Sequence, residues 1–139
     1  MKISARVDNS LGRHAATLST DGRSHEIAIA PRPGGFASSA TGGELLCLAA
    51  ATCYCNDVYR EARKRGIEVA RVEVEAEATL DREGGAIGRI SYRARVTARA
   101  PESAIVELMR HTDTVAEVQN TLRRSCPVEL AGTDAEQIA

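Results

Sequence analysis

The chain has 139 residues, enough for one domain with a real core. Hydrophobic residues make up 43% and charged residues 27%, but aromatics only 3% with no Trp, so the core must be built from Ala, Val, Leu and Ile. A domain without large rings can gain stability by burying more surface in an oligomer. The net charge of −1 leaves no basic excess to neutralise phosphates, which excludes a dedicated nucleic-acid binder.

The opening stretch MKISARVDNS has no apolar core of the kind a secretion signal needs. The longest apolar run, about residues 45 to 55, is too short to span a bilayer, so no membrane association is expected. The expected location is the cytoplasm, where thiols stay reduced and a cysteine pair is more often catalytic or redox-active than a structural staple.

In chain order, residues 2–8 and 13–19 read as short strands, and Asp21-Gly22 is a turn signal. Residues 23–30 resume a strand, with His25, Ile27 and Ile29 alternating against polar or small neighbours. PRPGGFASSATGG follows as the one long irregular segment. A helix is predicted from Gly43 to Lys64, closed by Gly66. Its first half is apolar nearly all round and should be buried on most sides, while NDVYREARKRG is amphipathic with basic residues in the last turn.

Residues 68–81 and 87–99 alternate with a two-residue period, the mark of strands with one buried face, and REGG between them suits a hairpin. The polar faces carry Glu73, Glu75 and Glu77 on one strand and Arg93, Arg95 and Arg99 on the other, and a register placing Glu75 opposite Arg93 lets opposite charges meet on a solvated face, each pair contributing ~0.2–1 kcal/mol. Pro101 opens a helical region through Arg124, expected to break near Thr112-Asp113, where either side chain can cap a new helix. Val115, Val118 and Leu122 read as core of that region, and the chain after Cys126-Pro127 is short and polar. The order is strands, a central helix, a hairpin, paired helices and a tail. It is an α+β layout in a single domain over 1–139.

The chemistry rests on four cysteines. ELLCLAAATCYC carries Cys47, Cys53 and Cys55, and Cys126 stands 73 residues beyond Cys53. At about 100° per residue, Cys53 and Cys55 point roughly 200° apart and cannot address one site from a regular helix. Cys47 and Cys55 share a face with Leu48, Ala51 and Val58 and read as small apolar fillers. Cys53 shares its face with Leu46, Ala49 and Ala50, whose small side chains leave room for a substrate, and with Asp57, a carboxylate that raises a thiol's pKa unless a cation offsets it. Cys126 follows Arg123-Arg124 at a helix end, a setting that can activate a thiol. His14, His25 and His111 form no metal-ligand pattern with the cysteines. The residues alone leave two readings open: a redox or nucleophilic Cys53/Cys126 pair, or four structural thiols.

GELLCLAAATC, KRGIEVARVEVE, RISYRARVTA and SCPVEL together resemble the family of osmotically inducible protein C and the organic hydroperoxide resistance proteins. The resemblance covers nearly the whole chain and singles out Cys53 among the helix thiols. It implies an OsmC-like fold of antiparallel sheets around a buried central helix, assembled as an intertwined homodimer. It also implies a thiol-dependent peroxidase acting on organic hydroperoxides without metal or other cofactor. Cys53 would be the peroxidatic thiol, passing through a sulfenic acid, and Cys126 the resolving one, closing a disulfide that an external dithiol, possibly a lipoyl group, reduces. GRHAATLSTDG matches the arginine-bearing motif and gives Arg13 the task of activating the thiolate.

Two features depart from the hydroperoxide pattern. Gly42 and Gly43 stand where it has a Pro-Glu pair, so Glu44, one residue later, fits either the arginine clamp or a helix N-terminal carboxylate. The tail GTDAEQIA has no clear closing strand. Both point to the divergent OsmC-like branch. The candidate catalytic set is Cys53, Cys126, Arg13 and Glu44, and the rival to peroxidase is a small-ligand-binding or redox-sensing module on the same scaffold.

Overall fold

The computed structural model describes residues 1–138. Its elements are β1 (Ile3–Ser10), β2 (Arg13–Thr20), β3 (Arg23–Ile27), α1 (Gly42–Lys64), β4 (Glu68–Ala78), β5 (Ile90–Arg99), α2 (Glu102–Val115) and α3 (Glu117–Arg124). The α+β class follows, with antiparallel sheets as the alternation predicted. The chain divides into two compact units, Met1–Leu48 and Ala49 onward.

In the first unit β1, β2 and β3 form a meander in that order. Asp21 and Gly22 make the predicted turn with φ of 47° and 80°, the pair of positive values that matches the twist of the flanking strands. β3 stops at Ile27, short of the expected Ala30, because the chain is heading into Pro31 and Pro33, and Pro31 bridges Ser38 instead of extending the sheet. The loop is held to the β1–β2 turn by Gly12 N–H donating to Gly35 O at 3.1 Å and Ala37 N–H donating to Asn9 Oδ1 at 2.9 Å. α1 begins in a capping box: Glu44 N–H donates to Thr41 Oγ1 at 3.1 Å, and Thr41 N–H donates to Glu44 Oε1 at 2.9 Å.

α1 ends as Gly66 predicted. Gly66, at φ 65°, donates to Arg63 O and Ile67 donates to Ala62 O, a Schellman closure. In the second unit Tyr54, Val58 and Ala62 of α1 and Leu108 of α2 form a buried cluster, and Val72, Val74, Tyr92, Ala94 and Val96 of the hairpin pack against it. Tyr54 and Tyr92 meet in a tilted pair with centroids 5.0 Å apart. β4 and β5 adopt the predicted register, Glu75 opposite Arg93 and Glu73 opposite Arg95, with those charges on the exposed face.

Four expectations are corrected. The first half of α1 is not enclosed by its own chain: Leu48 is 52% exposed and Leu45, Leu46 and Cys47 only half-buried, whereas the buried stripe runs through Ala50, Tyr54, Val58 and Ala62. The hairpin connection is longer than REGG, spanning residues 79–89, because Gly84, Gly85 and Gly88 do not sustain a strand; Arg82 to Gly85 still closes a turn at 3.1 Å. The helical break falls at Ala116 and not at Thr112-Asp113. Neither of those side chains is free to cap: Thr112 donates back to Leu108 O at 2.8 Å, and Asp113 accepts from Tyr92 and Arg123. With the helix reset at Ala116, Leu122 leaves the core stripe and is exposed. Residues 125–138 form neither helix nor strand, as the polar tail predicted.

Candidate functional site around Cys53

Cys53 sits at mid-length on α1, half-buried, where the first turn of α3 reaches it. Its sulfur lies 3.8 Å from Asp57 Oδ2 and 3.9 Å from Glu117 Oε2. Asp57 is there because four residues is one helical turn; Glu117 is there because the break at Ala116 re-aims the chain and starts α3 beside α1. Arg60 lies under both carboxylates, its Nη1 at 2.8 Å from Asp57 Oδ1 and 3.3 Å from Glu117 Oε1. The guanidinium therefore takes one oxygen of each carboxylate and leaves the other directed at the sulfur. Gln119, 6% exposed, donates from Nε2 to Ala50 O at 2.9 Å and ties α3 to α1 one turn before the thiol.

The electrostatics pull in both directions. Burial pushes the Cys53 thiol up first, and the charges of Asp57 and Glu117 push it further; the backbone N–H groups of Val118 and Glu117, at the start of α3, oppose the rise. The balance is upward. Arg60 is engaged by three carboxylates, Asp57, Glu117 and Glu61. Burial and the neighbouring Glu117 also raise Asp57, which is 5% exposed, whereas its own backbone N–H and the partnership with Asp57 lower Glu117. Asp57 is the better proton holder of the two.

Behind Arg60, Glu61 is buried and gathers Arg60 at 3.0 Å, Lys64 at 2.9 Å, His111 at 3.3 Å and Arg65 at 3.5 Å. Hydrogen bonds from Lys64 and Arg60 hold its carboxyl down at about 2. One ligand atom each of Cys53, Asp57 and Glu117 lie within 4.8 Å of one another, a donor set of the kind that can hold a cation. Arg60 already supplies a positive charge to both carboxylates.

The other predicted residues have surroundings of their own. Arg13 opens β2 opposite Ser10, exposed, with its guanidinium 3.6 Å from Asp8. Glu44 completes the capping box, and the hydrogen bond from the Thr41 N–H lowers its pKa, so its geometry is that of the helix N-terminal carboxylate. Cys126 is exposed and follows Ser125, which caps α3 in the left-handed region at φ 54°. All four cysteines are free; Cys47 and Cys55 are half-buried.

Sequence reading missed Arg60 and Glu117. Helical spacing could have found Arg60, three residues beyond Asp57 and seven beyond Cys53. No spacing rule reaches Glu117, 64 residues from the thiol it touches.

The model of the OsmC-like protein family matches residues 35–131 of this chain. The chain belongs to the OsmC-like family. Cys53, Glu44 and Cys126 fall inside the matched stretch and Arg13 outside it. No curated protein matches. Among solved structures, the chain is similar to an OsmC-like protein from Mycoplasma pneumoniae, with 15% identity over 89% of this chain and 87% of that one and a TM-score of 0.62. It is similar also to an organic hydroperoxide resistance protein from Legionella pneumophila, with 17% identity over 88% and 90% and a TM-score of 0.57. A third is the organic hydroperoxide resistance protein OhrB of Bacillus subtilis, with 14% identity over 90% and 93% and a TM-score of 0.54. At these identities the likeness establishes the fold. Among the described residues, no helix of this OsmC-like chain is long and apolar enough to cross a membrane.

Proposed function

We propose that this OsmC-like protein is a thiol-dependent peroxidase that reduces organic hydroperoxides, with Cys53 as the attacking thiol. The observation that carries the reading is the setting of the Cys53 sulfur: half-buried, with backbone amides of Val118 and Glu117 beside it and a carboxylate–guanidinium group within reach. Family membership supports it, since several proteins of the same fold are known as organic hydroperoxide resistance proteins. In this reading Cys53 attacks the distal peroxide oxygen and becomes a sulfenic acid, Cys126 resolves it as a disulfide, and an external dithiol, such as a lipoyl group, restores both thiols. Arg13 as the activating guanidinium, a homodimeric state and a cytoplasmic location belong to the same proposal.

The test is intact mass and peptide linkage after adding one equivalent of an alkyl hydroperoxide to reduced protein. A Cys53–Cys126 disulfide should form, faster than with hydrogen peroxide; Cys53→Ser should abolish the reaction, and Cys126→Ser should accumulate a sulfenic acid on Cys53. Thiols that stay reduced would refute the reading. The upward shift of the Cys53 thiol favours a second one, in which the same site binds a small ligand without turnover. That reading predicts peroxide-inert thiols.

A further inference from the structure

The Asp57–Glu117 pair is not accounted for by an attacking thiol alone. Two carboxylates set against a nucleophilic sulfur hinder its ionisation, so a site built only to make a thiolate would exclude them. Here both are held in place: Asp57 is almost fully buried, and Arg60 clamps one oxygen of each. One oxygen of each carboxyl group lies within 4.8 Å of the other and of the sulfur, and two carboxyl groups this close favour holding one proton between them, with burial and the Glu117 charge raising Asp57. Their remaining oxygens, Asp57 Oδ2 and Glu117 Oε2, lie 3.8 Å and 3.9 Å from the sulfur. A proton-carrying pair therefore sits at the atom where a thiol must lose a proton and an alkoxide must gain one.

We propose that Asp57 and Glu117 form the acid–base pair of the Cys53 reaction, with Arg60 as the positioning residue that fixes their geometry. This rests on the peroxidase reading. The Cys53 thiol passes its proton to the pair while the sulfur electron pair attacks the distal oxygen of the hydroperoxide. The S–O bond forms and the O–O bond breaks; sulfur is oxidised by two electrons and the peroxide reduced by two. The alkoxide leaves and takes the proton back from the pair, giving the alcohol and the sulfenic acid with no net proton change. The charged groups grouped at the sulfur are Asp57, Arg60 and Glu61 on α1 and Glu117 on α3.

Two reactions of the same thiol separate this role from simple electrostatics. Alkylation by iodoacetamide expels iodide and needs no acid; reduction of tert-butyl hydroperoxide expels a basic alkoxide and does. In Asp57→Asn, Glu117→Gln and the double variant, the Cys53 alkylation profile should move to lower pH. The single-turnover rate with tert-butyl hydroperoxide at neutral pH should nevertheless fall, by roughly 10²-fold or more in the double variant. Peracetic acid, whose leaving carboxylate needs no proton, should lose far less. Glu117 is largely exposed, so its Gln variant keeps the test available if Asp57→Asn does not fold. Variants that alkylate faster and reduce tert-butyl hydroperoxide faster in proportion would overturn the proposal, leaving the carboxylates as brakes on ionisation. A wild-type Cys53 that alkylates normally but ignores both peroxides would overturn the peroxidase reading itself.

Discussion

Leu108→Ala tests whether the second unit is held as described. Leu108 is 0% exposed, and its side chain closes the cluster of Tyr54, Val58 and Ala62 against the β4–β5 hairpin. Truncation removes three buried carbons and leaves a cavity between α2 and its neighbours, which are held to it elsewhere, α1 by Tyr54 donating to Met109 O at 2.8 Å and β5 by Tyr92 donating to Asp113. With the backbone so pinned, little collapse into the hole is expected. The loss should lie in the range of about 2–5 kcal/mol, a large share of the ~5–15 kcal/mol that holds a typical domain. Urea unfolding at constant m-value reads it, with Leu108→Met as the volume-conserving control at less than about 1.5 kcal/mol. Leu130→Ala, at a residue 84% exposed, should change stability by no more than about 0.5 kcal/mol. A Leu108→Ala loss below about 1 kcal/mol would refute the packing argument, because no other side chain fills that position.

Two further outcomes follow from local structure. Glu61 has a folded pKa of about 2 against an ordinary 4.5, so the stability it confers is fully present above about pH 4.5 and is lost as pH falls toward 2. Glu61→Gln should be less stable than wild type at neutral pH, with the gap closing across that window in acid titrations followed by circular dichroism; a gap that does not change with pH would be contrary. Thr41→Ala removes the acceptor for the Glu44 N–H and should weaken the start of α1 by about 1 kcal/mol, seen as faster amide exchange in its first turn, with Thr41→Ser near wild type.

Legibility in the sequence tracked the range of the interaction concerned. The capping box at Thr41 and Glu44 is a four-residue pattern that the sequence displays. The register of Glu75 with Arg93 was readable because period-two alternation leaves one face to bury and charge pairing selects the offset. Leu122 was misread because one helical period was carried across a break that no local residue announces.

The sequence by itself determined the α+β order, the extent of α1, the Gly66 closure and the hairpin register. All depend on contacts within a few residues or on a repeating period that a linear string preserves. Only the tertiary structure decided what surrounds the Cys53 sulfur. Glu117 comes to it from 64 residues away, Arg60 is committed to three carboxylates, and the thiol is raised because burial and two charges outweigh the amides of α3. Burial and charge act through space, and α3 is held beside α1 and α2 by Gln119 donating to Ala50 O and Arg123 donating to Asp113, contacts that no linear pattern displays.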